Sequence, residues 1–194
     1  MAIYGGFRVH GSVTSSESVV KGFKILNGEA DDMFQGDMIK LEAAGSVNKS
    51  PGDADLAVVG VLVGVEYTNS EGERVYTNKY NVDISRDDTI AYVNVDPMQE
   101  YIVRVGTGGT EGTITQAAIG MSLDIDATNA GNGTTGMSGQ MAKTGTEATS
   151  ARVRVIGVSN DDGTDPLKEA AATTYTHAIV IIDPVTSVFS GVGI

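Results

Sequence analysis

Apolar and polar positions alternate most clearly between residues 56 and 106. An apolar run over 56–65 turns at Asn69-Ser70-Glu71-Gly72-Glu73 and returns over 74–80. Two further runs cover 89–97 and 100–105. Strand side chains alternate with period two, so this block reads as strand, turn, strand, loop, strand, short break, strand. Val61, Val63 and Val65 are expected on one face and Gly60, Leu62 and Gly64 on the other, where missing side chains predict close approach of another backbone. Further strands are expected within 1–10, over 19–26, over 38–41, over 151–158 and over 175–182. Asn27-Gly28 is a turn signal, and 48–53 reads as a loop by composition. Strands with turn signals roughly every 8–12 residues predict an all-β chain, an antiparallel β-sandwich or β-barrel with little helix.

The pattern weakens between 107 and 150. Gly, Thr, Ser, Ala and Asn dominate there, which predicts a loop-rich insertion, either mobile or ordered by a partner. Residues 114–125 would hold one strand or a short helix, and 128–139 a loop. The C-terminal tail, 184–194, has no charged side chain and carries Val185, Val188, Phe189, Val192 and Ile194. Such a tail packs either on its own core or on a neighbouring subunit. No repeat, heptad or linker divides the 194 residues, so 1–194 is expected to form one structural domain.

Composition narrows the function classes. A net charge of −12 argues against nucleic-acid backbones and anionic membranes as partners. With no cysteine, disulfides and thiolate metal sites are excluded. The N-terminal residues lack the basic and apolar regions of a signal peptide. Apolar runs of about ten residues are too short to span a bilayer as helices. The expectation is a chain made in the cytoplasm without an anchor.

Candidate chemistry is sparse. Gly131-Asn132-Gly133-Thr134-Thr135-Gly136 has the letters of a nucleotide fingerprint but lacks the preceding strand and following helix. The acidic turn 160–165 lacks the terminal Glu of a calcium loop, and Asp124 and Asp126 share a strand face without forming a site. His10 and His177 lie in separate strands, and Gly136-Met137-Ser138-Gly139 falls one residue short of a nucleophile elbow. No catalytic residue, cofactor or metal site is expected. Tyr67, Tyr76, Tyr80, Tyr92 and Tyr101 are read as cross-strand pairs holding a sheet, or as a surface that binds glycan or protein.

Three stretches carry a resemblance. They are residues 33–41, with the step Phe34-Gln35-Gly36-Asp37-Met38-Ile39; residues 60–67 with their hairpin partner 75–80; and residues 91–97 followed by 100–105. The ending Gly191-Val192-Gly193-Ile194 adds to them. Together they cover about half the chain, which resembles the decoration, or cement, proteins of tailed-bacteriophage heads. The resemblance implies a structural virion protein on the capsid exterior, a homo-oligomer (dimer or trimer) whose partner is the major capsid protein. Contact would be made by Ile3, Tyr4 and Phe7, by Val188, Phe189 and Ile194, and by the loop region 107–140. The alternatives are a tail- or fibre-associated glycan-binding β module and, behind it, a hydrolase using an unrecognised carboxylate pair.

Overall fold

The computed structural model describes residues 5–13, 18–52, 58–84, 86–147, 151–160 and 174–183. The chain is all-β, with two 3-10 turns, Val82–Ile84 and Gln116–Ala118, as its described helical pieces. The strands are β1 Arg8–Ser12, β2 Val20–Lys24, β3 Met33–Phe34, β4 Met38–Leu41, β5 Val47–Lys49, β6 Val58–Thr68, β7 Arg74–Thr77 and β8 Lys79–Tyr80. They continue as β9 Ile90–Asn94, β10 Gln99–Thr107, β11 Thr110–Glu111, β12 Ser122–Leu123, β13 Ile125–Asp126, β14 Met141–Lys143, β15 Val153–Ser159 and β16 His177–Ile182.

One sheet runs β2-β9-β6-β4-β5, with β7 also on β6. The other runs β12-β15-β16-β10-β14-β13, with β1 and β11 also on β10. The terminal strands of this second sheet, β12 and β13, are joined by the single residue Asp124. The sheet therefore curls almost into a closed barrel, which removes most of its exposed edge. Asp124 serves the seam twice: its carbonyl accepts from Lys143 N at 2.8 Å, and its carboxylate meets Arg152 at 3.3 Å. The small two-stranded sheet β3-β8 covers the first sheet.

The long strand β6 serves both layers. Val58 and Val61 pack into the barrel core with Tyr101, Val103 and Val180. Val59, Leu62 and Val65 pack into a second core with Ile39, Tyr80 and Val93. Strict alternation would put Val61 and Val65 together. One bulge prevents it, Val63 being an extra residue opposite Val93 and Tyr92; a second, Val59 opposite Ile39 and Lys40, shifts Val58 relative to Val61 in the same way. Each extra residue shifts the side-chain phase by one position. The expected close approach at the glycines is present. A β-carbon on Gly60 would lie 2.0 Å from the Asn94 carbonyl oxygen, and one on Gly64 2.1 Å from the Tyr76 hydroxyl.

Three expectations need correction. Residues 48–49, read as loop, end strand β5, because Lys49 and Asn48 pair with Ile39 and Lys40 in spite of the polar Asn and Ser. The expected strand 74–80 breaks at Asn78, where β7 leaves one sheet and β8 joins another. The segment 107–147, expected as a loop-rich insertion, also contributes strands and core. It supplies β11 to β14, and Ile114, Ala118, Leu123, Ile125 and Ala142 sit in the barrel core.

Candidate functional site

Residues Ile3, Tyr4, Val188, Phe189 and Ile194 lie outside the described residues, as does the acidic turn from 161 onward. Phe7 is described, and it turns inward. It is 2% exposed and meets Tyr101 edge to face, with ring centroids 6.4 Å apart. Its ring is thus taken up by the chain's own barrel core, since an aromatic of this size gains most when fully removed from water. The loop region 107–140 is largely folded into the body, as above.

A buried polar network joins three distant segments. The turn Phe34-Gln35-Gly36-Asp37 closes with an Asp37 N to Phe34 O bond of 2.9 Å, and Gly36 adopts φ 90°, a conformation open to glycine at little cost. It delivers Asp37, fully buried, to Ser138, whose hydroxyl donates to the Asp37 carboxylate at 2.5 Å. Phe34 N donates to the same carboxylate at 2.8 Å, and Lys49 Nζ stands 3.5 Å away. Gln140 then accepts from Met38 N at 2.7 Å and donates to Ser50 O at 3.0 Å. The N-terminal segment threads the same place: Gly5 N donates to Ser138 O and Phe7 N to Gly36 O. Burial pushes the Asp37 carboxyl above its ordinary value, and Lys49, Ser138 and Phe34 N pull back without overcoming it.

Asp37 and Ser138 are both fully buried, and neither histidine reaches them. His10 contacts Glu100 at 3.4 Å, and His177, 1% exposed, contacts Thr176 at 3.0 Å. The pair therefore ties chain segments together and does not present a nucleophile to solvent. The stretch 131–136 forms a turn closed by a bridge between Asn132 and Met137, with the Asn132 side chain accepting from Thr134 N and Thr135 N. No helix follows it to receive a phosphate. Asp124 serves Arg152, while Asp126 accepts from Gly109 N at 3.0 Å and Thr128 N at 2.9 Å. Among the described residues no three His, Asp or Glu side chains gather as metal ligands would.

A cavity of about 240 Å³ lies where the two layers meet, walled by Phe7, Val61, Leu62, Tyr101 and Met137 among others. The Tyr101 ring is fully buried and its hydroxyl has no hydrogen-bond partner among the described residues; burial, with Asp96 nearby, pushes the phenol upward.

The surface holds a different feature. Val9, Val13, Val19 and Val20 are 60%, 51%, 48% and 45% exposed. Val13 N donates to Met98 O and Val95 N to Val19 O, so Val13 and Val19 are pinned to the two sides of the turn between β9 and β10. The result is an apolar ledge beside the turn between β9 and β10, with Val20 on β2, the terminal strand of its sheet. Sequence reasoning placed strands here but could not see that they lie at sheet edges. The tyrosines divide: Tyr80 and Tyr101 are buried in separate cores, while Tyr76 and Tyr92 pair on the surface with centroids 5.9 Å apart.

No family model, curated protein or solved structure matches the chain.

Proposed function

We propose that this chain is a structural virion protein. It binds the outer surface of the major capsid protein lattice of a tailed phage and stabilises the head as a small homo-oligomer, made in the host cytoplasm and mounted on the capsid exterior. The observation that carries the reading is the valine ledge. Four exposed valines on and beside the edge strands β1 and β2 offer the kind of apolar surface that marks a protein-binding site. The sequence resemblance supplies the partner. The buried polar groups around Asp37 and Ser138 tie chain segments together, which suits a stabilising role. Modest contact energy at each ledge becomes strong attachment when an oligomer engages several lattice positions at once.

The test is co-sedimentation of the purified chain with heads built from the major capsid protein of the same source. The expected result is saturable binding at fixed stoichiometry and heads that resist heat better. The double change Val13→Ser with Val20→Ser is expected to weaken binding at least tenfold while leaving the β circular dichroism signal. A chain that stays in the supernatant overturns the reading. Binding indifferent to the valine changes removes the ledge from it.

A further inference from the structure

Beyond the ledge, the outer face of the six-strand layer carries a second arrangement with its own chemistry. Register places Lys24, Ile90, Glu66 and Tyr76 in one row across β2, β9, β6 and β7. The next row is Gly22, Tyr92 and Gly64. With a glycine on each side, the Tyr92 ring has no flanking side chain in its own row. The Tyr76 ring leans into the gap left by Gly64, its hydroxyl where a β-carbon would be. Tyr76 is 60% exposed, and the two rings meet at 46°. Together they make an open aromatic shelf on the sheet.

Polar groups rim the shelf and hold one another in place. Arg74 donates from Nε to Glu66 at 2.9 Å and from Nη1 to Asp88 at 3.1 Å. Tyr92 donates to Glu66 at 2.5 Å, and Thr68 donates to Asp88. These side chains are fixed by mutual hydrogen bonds before any ligand arrives, which lowers the ordering cost of binding. A guanidinium has five N–H donors, and these bonds occupy two of them. Lys24, Asp87, Ile90 and Tyr92 line, with Arg74 and Asp88, a groove of about 470 Å³ beside the Tyr76 ring.

We propose that this shelf binds a neutral saccharide of one or two sugar units. Pyranose rings present an apolar C–H face, which suits an exposed tyrosine ring, and a rim of hydroxyls, which suits fixed carboxylates and guanidinium donors. The volume matches small-ligand sites. Charge selects against the acidic alternatives. The rim sets Lys24 and Arg74 against Glu66, Asp87 and Asp88, on a chain of net charge −12, so phosphorylated or sialylated ligands are repelled. The inference does not depend on capsid attachment, since the shelf and the valine ledge involve different residues.

The experiment uses the full chain, which has seven tyrosines and no tryptophan, so its intrinsic fluorescence reports on tyrosine. Maltose, cellobiose, lactose, mannobiose and N,N′-diacetylchitobiose are titrated to about 10 mM, weak affinity being expected of so open a site, with 3′-sialyllactose as the acidic control. Saturation-transfer NMR follows in parallel. At least one neutral disaccharide is expected to saturate. Tyr76→Ala, at an exposed position, and Arg74→Gln are each expected to weaken it tenfold or more with the circular dichroism spectrum unchanged. Tyr76→Ala is also expected to sediment with heads as the unaltered chain does, which separates failure here from failure of the capsid reading. Absence of saturation by every neutral sugar overturns the proposal. So does equal binding of 3′-sialyllactose, or binding untouched by both variants.

Discussion

Two carboxylate networks in this protein use the same pieces in opposite surroundings. At Asp37 the carboxylate is fully buried and meets a hydroxyl, a backbone N–H and Lys49. At Glu66 and Asp88 the carboxylates meet a phenol, a hydroxyl and Arg74 at the surface, where the Arg74 and Asp88 side chains are 48% and 43% exposed. The partners are equivalent, yet the acidities move apart. Burial raises Asp37, whereas the Tyr92 and Arg74 hydrogen bonds lower Glu66 and the Thr68 hydrogen bond lowers Asp88. Desolvation therefore decides the sign, and the partners decide only how far it goes.

The largest test of this contrast is truncation. Asp37→Ala leaves Lys49, Ser138 and Phe34 N facing a void, and is expected to cost about 3–5 kcal/mol in urea denaturation. Glu66→Ala removes as many hydrogen bonds but hands its partners to water, so its cost should be well below that of Asp37→Ala. Equal losses would break the comparison. Asp37→Asn is the next step down. The amide nitrogen cannot accept where one carboxylate oxygen did, and the expected cost is about 1–3 kcal/mol.

Acid titration sharpens the contrast further. Because Asp37 is raised in the folded state, its contribution is fully present below the ordinary 3.8 and is lost as pH rises through the raised value. Asp37→Asn should abolish that component, so its deficit relative to the unaltered chain narrows as pH rises through this window. Glu66 and Asp88 behave oppositely: their contribution is present above the ordinary 4.5 and 3.8 and is lost as pH falls through their lowered values. Melting curves across the acid range, with each variant, separate the two slopes. The smallest effect is that of salt. At about 1 M ionic strength, where screening acts over roughly 3 Å, any difference between Arg74→Ala and the unaltered chain should disappear, while the Asp37→Ala deficit persists.

Much of this architecture can be read from the chain before any coordinates. The strands β6, β7, β9, β10, β15 and β16 follow the alternation of their own residues, and the closeness at Gly60 and Gly64 follows from their size. Phase is harder. The bulge at Val63 sends Val61 to one core and Val65 to another, and nothing in a run of valines marks an extra residue. Segment 107–147 is harder still. Several of its strands have only two residues and depend on neighbours elsewhere in the chain; so short a stretch has no measurable period. The Asp37–Ser138 contact spans 101 positions. Each residue stands inside a recognisable local string, Gly-Asp or Gly-Met-Ser-Gly, but no local string states that they meet. Exposure was equally out of reach at Phe7, whose apolar ring suits a partner surface as well as the core that encloses it.

The order of strands in the two sheets also sets an order of assembly. The strands of the six-strand layer all fall between residues 20 and 94. The near-barrel needs β1 on β10 and, between β10 and β15, the last strand β16. A growing chain can therefore complete the first layer while the second still lacks its central strand. Until His177–Ile182 leaves the ribosome, β10 and β15 hold apolar edges with nothing between them. Domains emerge N-terminal part first during synthesis, and open strand edges invite association with other chains. A message cut short before codon 177 is expected to yield aggregates with one folded layer, and a protease acting on stalled chains would spare residues 20–94 longest.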